Sequence, residues 1–187
     1  MNIAVVTFGR TLFYFKPDTS LERDVTRDFF LPDFICRTYV VPVLFIRISK
    51  PCKAVLPEFA NRYYEGFSYG VIIGGSCRKR IRMEEVPAPV SLDGSAVFPN
   101  SYYDIGRLGS DEARFTFECD GKNSLRVTIP DINRNDINDC LKAVSGYCTL
   151  RTGDMLALEA LPAVMAKRGT HVSGDAFGVT LFDFGIK

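Results

Sequence analysis

Chemistry in this chain would have to be built from few side chains. The only histidine is His171. Spacing sets no acid–serine or acid–cysteine pair beside it, so it reads as a surface or turn residue rather than a general base. Gly74-Gly75-Ser76 precedes Arg78, Lys79, Arg80 and Arg82. Backbone N–H groups of a Gly-Gly turn next to such cations could cradle a phosphate or another anion, which makes Arg78, Lys79 and Arg80 a candidate anion patch. The ordinary reading of that pattern is a solvated turn, and Glu84-Glu85 just downstream offsets part of its charge. Cys77 sits beside Arg78 and Lys79, where a thiolate would be favoured only if the thiol is exposed. Asp18, Asp33, Asp93 and Asp154 all fall in turn-like segments, where aspartate bonds to its own backbone. No acid occurs between Asp33 and Glu58.

That acid-free stretch contains the element that must position everything else. Val40 to Arg47 reads V-V-P-V-L-F-I-R, apolar, β-branched and too short for a buried helix, which predicts a strand covered on both faces. Pro42 cannot donate to a ladder and predicts a bulge, an edge or a strand start at that point. Asn2 to Phe8 and Leu12 to Phe15 predict two short strands before it. After it, Pro57 opens a predicted helix, since Phe59, Tyr63 and Phe67 recur at spacing four. Ser68 to Gly75 predicts a second buried strand, and Cys77 to Pro89 a surface connection. Strands are predicted near Val97-Phe98, over Ala113 to Cys119 and over Ser124 to Ile129, with Asp120-Gly121 as a hairpin turn between the last two. Asp136 is the predicted N-cap of a helix whose apolar stripe is Ile137, Cys140, Leu141, Val144 and Tyr147. A turn at Gly153-Asp154 leads into another strand. Ser173-Gly174-Asp175 predicts a turn before a last strand from Phe177 to Ile186. The fold class is α+β, mostly β, with few short helices.

The totals exclude several function classes. At 187 residues the chain reads as one domain, residues 1–187, able to bury roughly 70% of its unfolded surface. Lys and Arg number 23 against 22 Asp and Glu, a net charge of +1, which supports neither a nucleic-acid nor an anionic-membrane partner. The six cysteines contain no C-x-x-C pair, so neither a zinc module nor a redox motif is expected. No segment has the length of a membrane span and the N-terminal run lacks a basic leader, so the expected setting is cytoplasmic.

Six segments carry a resemblance in order and spacing: F-K-P-D-T-S (Phe15 to Ser20), F-F-L-P-D-F (Phe29 to Phe34), R-I-S-K (Arg47 to Lys50) with F-A-N-R-Y-Y (Phe59 to Tyr64), S-L-D-G-S-A (Ser91 to Ala96) and T-L-R-T-G-D (Thr149 to Asp154). Together they resemble the fumarylacetoacetate hydrolase-like family. The resemblance implies a mixed β-roll or sandwich of that family's C-terminal-domain type and a homodimer. It also implies an ancestry of enzymes that use Mg²⁺, Mn²⁺ or Ca²⁺ on small β-keto or 2-oxo acids. In such chemistry the metal holds the substrate's enolate or oxo-carboxylate oxygens and stabilises their developing charge.

The resemblance also implies that the parts of that chemistry are replaced. Its Y-E-x-E-like ligands fall at Val40 and Pro42, and its third carboxylate at Ile72. The lysine ahead of the D-G-S-like segment falls at Val90. The T-G-T-P-like segment that receives the substrate carboxylate becomes Glu159-Ala160-Leu161-Pro162, where Glu159 would repel an acid. Shifting the first motif by one residue restores no carboxylate. The expectation is a family-like protein without metal, cofactor or catalytic residues and with a binding or structural role, a small carboxylate being one ligand it could hold. The alternative is a residual hydrolase, decarboxylase or isomerase.

Overall fold

The computed structural model describes residues 1–77, 91–120, 124–130 and 132–187. The chain runs through β1 (Ile3–Val6), β2 (Phe13–Lys16), β3 (Leu21–Glu22), β4 (Ile35–Ile48), β5 (Tyr64–Cys77), β6 (Ala96–Val97), β7 (Tyr103–Asp104), β8 (Thr116–Asp120) and β9 (Leu125–Thr128). One α-helix, α1 (Arg134–Tyr147), follows, then β10 (Met155–Glu159), β11 (Val164–Ala166), β12 (His171–Ala176) and β13 (Val179–Gly185). A nine-stranded mixed sheet has the order β2-β1-β10-β4-β5-β6-β3, with β11 also on β4 and β7 on β5. A second sheet of four strands has the order β13-β12-β8-β9. The architecture is the expected α+β, mostly β class.

β4 and β5 form the long central hairpin, with Val41 opposite Ile72 and Val43 opposite Gly70. Val40, Val41 and Val43 to Ile46 are each 2% exposed or less, as a strand covered on both faces requires. Period-two alternation splits the large sheet into two apolar faces. The first face carries Val40, Leu44 and Ile46 with Val71 and Ile73, and packs against α1 and the four-stranded sheet in the main core. The second carries Ile3, Val5, Val41, Val43, Phe45, Ile72, Met155 and Ala157 in a separate, smaller core.

Pro42 sits inside β4 rather than at its end. Its carbonyl accepts from the Ala160 N–H at 2.9 Å, so its missing N–H faces the same side. On that side the partner changes from β10, which ends at Val43, to β11, which begins at Val40. The proline therefore costs the ladder no bond.

Three local expectations are corrected. The segment from Pro57 is a short 3-10 helix, Pro57–Arg62, and Tyr64 already belongs to β5. Spacing four among aromatics also satisfies a strand's period of two, and Phe59 is exposed while Phe67 is buried. The helix cap is Asn133, whose side chain accepts the Asp136 N–H, and Asp136 returns a bond to the Asn133 N–H in a capping box; Tyr147 is 79% exposed and leaves the stripe. Ser173-Gly174-Asp175 lies within β12, and the turn comes at Phe177-Gly178, both at positive φ. Gly174 is there for close approach: a Cβ would meet the rings of Phe182 and Phe115. β8 and β9 pair antiparallel as expected; Gly121 of their predicted turn lies outside the described residues, as do positions 78–89 of the predicted surface connection. Among the described residues no helix is long and apolar enough to cross a membrane.

Candidate functional site

Polar side chains gather on the second face. Lys16 pairs with Ile3 and Tyr14 with Val5 across β1 and β2, and Glu159 pairs with Val43 across β10 and β4. Directly opposite residues share a face, so an amine, a phenol and a carboxylate border the apolar floor of Val41, Val43, Phe45 and Ile72. Tyr39 lies opposite Gly74, and a Cβ at Gly74 would collide with its ring; the glycine makes room for the phenol. Gly70 plays the same part for Phe98, which stacks on Phe45 at 4.1 Å between ring centres.

Lys16 is fully buried. Its Nζ donates to Ser95 Oγ at 2.8 Å, and that hydroxyl donates to the Leu92 carbonyl. Burial pulls the ammonium down to about 8, because a charged amine is poorly solvated there. Glu159 is half-buried. Its Oε2 accepts from the Phe8 N–H at 2.9 Å and its Oε1 from the Tyr14 hydroxyl at 3.4 Å, while Arg10 donates to its backbone carbonyl at 2.9 Å. Burial raises its carboxyl above the usual range, opposed by the bonds from Phe8 and Tyr14 and by the Arg10 charge. Burial also raises the Tyr14 and Tyr39 hydroxyls, with the Glu159 charge adding to both.

Glu159 thus anchors the loop between β1 and β2. Its folded carboxyl is raised above its unfolded value, so ionising it costs stability, and that cost grows as pH climbs through the folded value. Glu159→Gln keeps an acceptor for Phe8 and removes the charge. We expect the variant to gain on the parent between about pH 4 and 7 in paired urea titrations; a constant difference across that range would contradict the role assigned to Glu159.

The structure distributes the sequence-derived positions unevenly. Ile72 and Glu159 share the second face. Val40 and Pro42 point to the first, with Val71 and Ile73, and Leu161 packs on the main core. Val40, Pro42 and Ile72 therefore do not surround one point; the β4 residues that share Ile72's face are Tyr39, Val41, Val43 and Phe45. Val90, Arg78, Lys79 and Arg80 lie outside the described residues. His171 is half-exposed on β12, 2.6 Å from Asp183. Asp154 accepts from Asn2 and Arg151 N–H groups, 2.8 Å each, and Asp33 pairs with Arg168 at 2.8 Å. The Arg151 bond is the local one expected of a turn aspartate; the Asn2 and Arg168 contacts instead tie distant parts of the chain together. Among the described residues, no group of three His, Cys, Asp or Glu is placed to hold a metal ion.

Sequence reasoning passed over Lys16, Tyr14, Tyr39 and Ser95. Lys16 ends a short aromatic run just before Pro17, and nothing in that pattern distinguishes a buried amine from a solvated one. A lysine directly following three consecutive aromatics, Phe13-Tyr14-Phe15, is the only signal present.

Neither family sequence models nor curated protein sequences match the chain. Solved structures do. The fumarylpyruvate hydrolase of Pseudomonas aeruginosa in complex with Mn²⁺ and pyruvate superposes with a TM-score of 0.74 at 16% identity, over 100% of this chain and 89% of that one. A protein of Yersinia pestis CO92 described as of the fumarylacetoacetate hydrolase family gives 0.73 at 16%, over 100% and 92%. The 2-hydroxyhepta-2,4-diene-1,7-dioate isomerase of Mycobacterium marinum gives 0.72 at 17%, over 99% and 73%. The fold is the one those proteins share, and at these identities the likeness extends to the fold alone.

Proposed function

We propose that this chain is a fumarylacetoacetate hydrolase-like protein in which metal-dependent catalysis has given way to a binding or structural role. The observation that carries the reading is the floor of the second face. Val41, Val43, Phe45 and Ile72 are each 2% exposed or less, and a hard divalent cation takes oxygen ligands. Of the carboxylates that the described strands bring to that face, Glu159 has its oxygens spent on Phe8 and Tyr14, and Asp104, opposite Gly66 on β7, is exposed and accepts from the Gly106 N–H. The described residues do not fit the metal that the fold's hydrolases and isomerases suggest.

Energetics favours such a replacement once metal binding is no longer selected. Carboxylates buried without a cation cost several kcal/mol each, whereas aliphatic side chains of similar volume cost nothing and fill the space. Calorimetric titration with Mn²⁺ in the presence of oxalate, a stand-in for the enolate of a 2-oxo acid, tests the reading. We expect no heat beyond dilution. Saturable binding would restore the alternative, a hydrolase, decarboxylase or isomerase of small 2-oxo or β-keto acids.

A further inference from the structure

A cleft of about 380 Å³ opens beside β3 and β6, between the Arg27–Phe30 segment and the turn at Asp93-Gly94. Its base is apolar: Leu21, Phe29 and Val97 line it, and Phe30 stands at its rim 70% exposed. Its charges are unequally spent. Arg27 Nη1 lies 3.1 Å from Glu22 Oε2, while Glu22 Oε1 takes the N–H groups of Arg23 and Asp24 at 2.9 Å each. That pair cancels itself. Asp28 Oδ1 accepts from the Gly185 N–H at 2.7 Å, and its Oδ2 has only Lys187 Nζ at 3.6 Å. Asp93 has neither a hydrogen bond nor an ion pair among the described residues.

The cation lining the cleft is neutralised in place and one carboxylate is left over, above a hydrocarbon base. We propose that this cleft binds a short alkylammonium ligand, its charged head at Asp93 with Asp28 beside it and its chain against Leu21, Phe29 and Val97. Carboxylate ligands are disfavoured, since their charge would meet Asp93 while Arg27 stays tied to Glu22. Phe30 at the rim supplies an aromatic face, which attracts a cation. The inference goes beyond the function proposed above and is independent of it, because none of these residues belongs to the floor of the second face.

Cadaverine is the probe, titrated into the full chain and followed by calorimetry, with pentanol and valerate as neutral and anionic counterparts. We expect saturable millimolar cadaverine binding that weakens with added salt, and no response to the other two. Asp93→Asn is expected to weaken it roughly three- to tenfold. Arg27→Ala releases Glu22 and is expected to tighten it. Asp93 and Arg27 are both exposed, and a thermal melt of each variant confirms that it folds. Absence of cadaverine binding, an equal response to pentanol, or indifference to Asp93→Asn would overturn the proposal. So would valerate binding that disappears in Arg27→Ala, because the cleft would then be an anion site.

Discussion

Val41→Glu is expected to lower stability by about 3–5 kcal/mol near neutral pH, the largest single-residue effect on the second face. Val41 is 2% exposed and faces Ile72 across the hairpin, with Val43 two residues along on the same side. The cations around that face already have partners: Lys16 donates to Ser95, Arg10 is engaged with the Glu159 carbonyl, and Arg23 with Pro99 and Tyr102. Desolvation would raise the new carboxyl in the folded state. The loss is therefore small in acid and grows as pH rises through that folded value, and urea titrations at about pH 4 and 7 should show this sign. Unchanged stability at neutral pH would mean that water or a cation reaches the floor, and the hydrocarbon-filled reading of the face would fall with it.

Much of the fold was legible because burial writes itself into composition. V-V-P-V-L-F-I could only be a strand covered twice, and it is. The proline within it was legible as an interruption, although its actual place, opposite the change from β10 to β11, depends on partners far away in the chain. The parallel pairing of Ile3 with Met155 was not legible, since no local pattern encodes a partner about 150 residues away. Gly174 misled for a related reason: a glycine that makes room for aromatic rings and a glycine that turns the chain look alike beside Ser173 and Asp175.

The candidate site was legible by residue type and not by face. The resemblance implies aliphatics where the family's carboxylates are expected, but a one-residue change of register moves a strand's side chains to the opposite face. That is why Val40 and Pro42 separate from Ile72 in the fold while Val41 and Val43 join it. Glu159 illustrates the other limit. Its sign suggested repulsion of an acid ligand; its geometry assigns its oxygens to Phe8 and Tyr14, a structural duty that only three-dimensional proximity reveals.

Lys16→Met is expected to abolish an alkaline gain in stability of about 3 kcal/mol. The argument rests on where the proton is held. Burial brings the folded amine down to about 8, while in the unfolded chain it returns to about 10.4. Between these values the unfolded state binds more protons than the folded one, so stability rises with pH across that window. Methionine matches the lysine stem in length and apolar character and leaves Ser95 its own bond to the Leu92 carbonyl, so the substitution removes the titration with little change of volume. Other groups titrate in the same window: burial raises the thiol of Cys140 to about 11 and that of Cys52 as well, which gives a loss of stability of opposite sign. Both proteins share that loss, so the informative quantity is the difference between parent and variant at about pH 7.5 and 10.5. A parent that gains on Lys16→Met as pH rises places a desolvated amine against Ser95. If the difference stays flat, Lys16 is solvated in the folded state, and the second face is open to water from the β2 side.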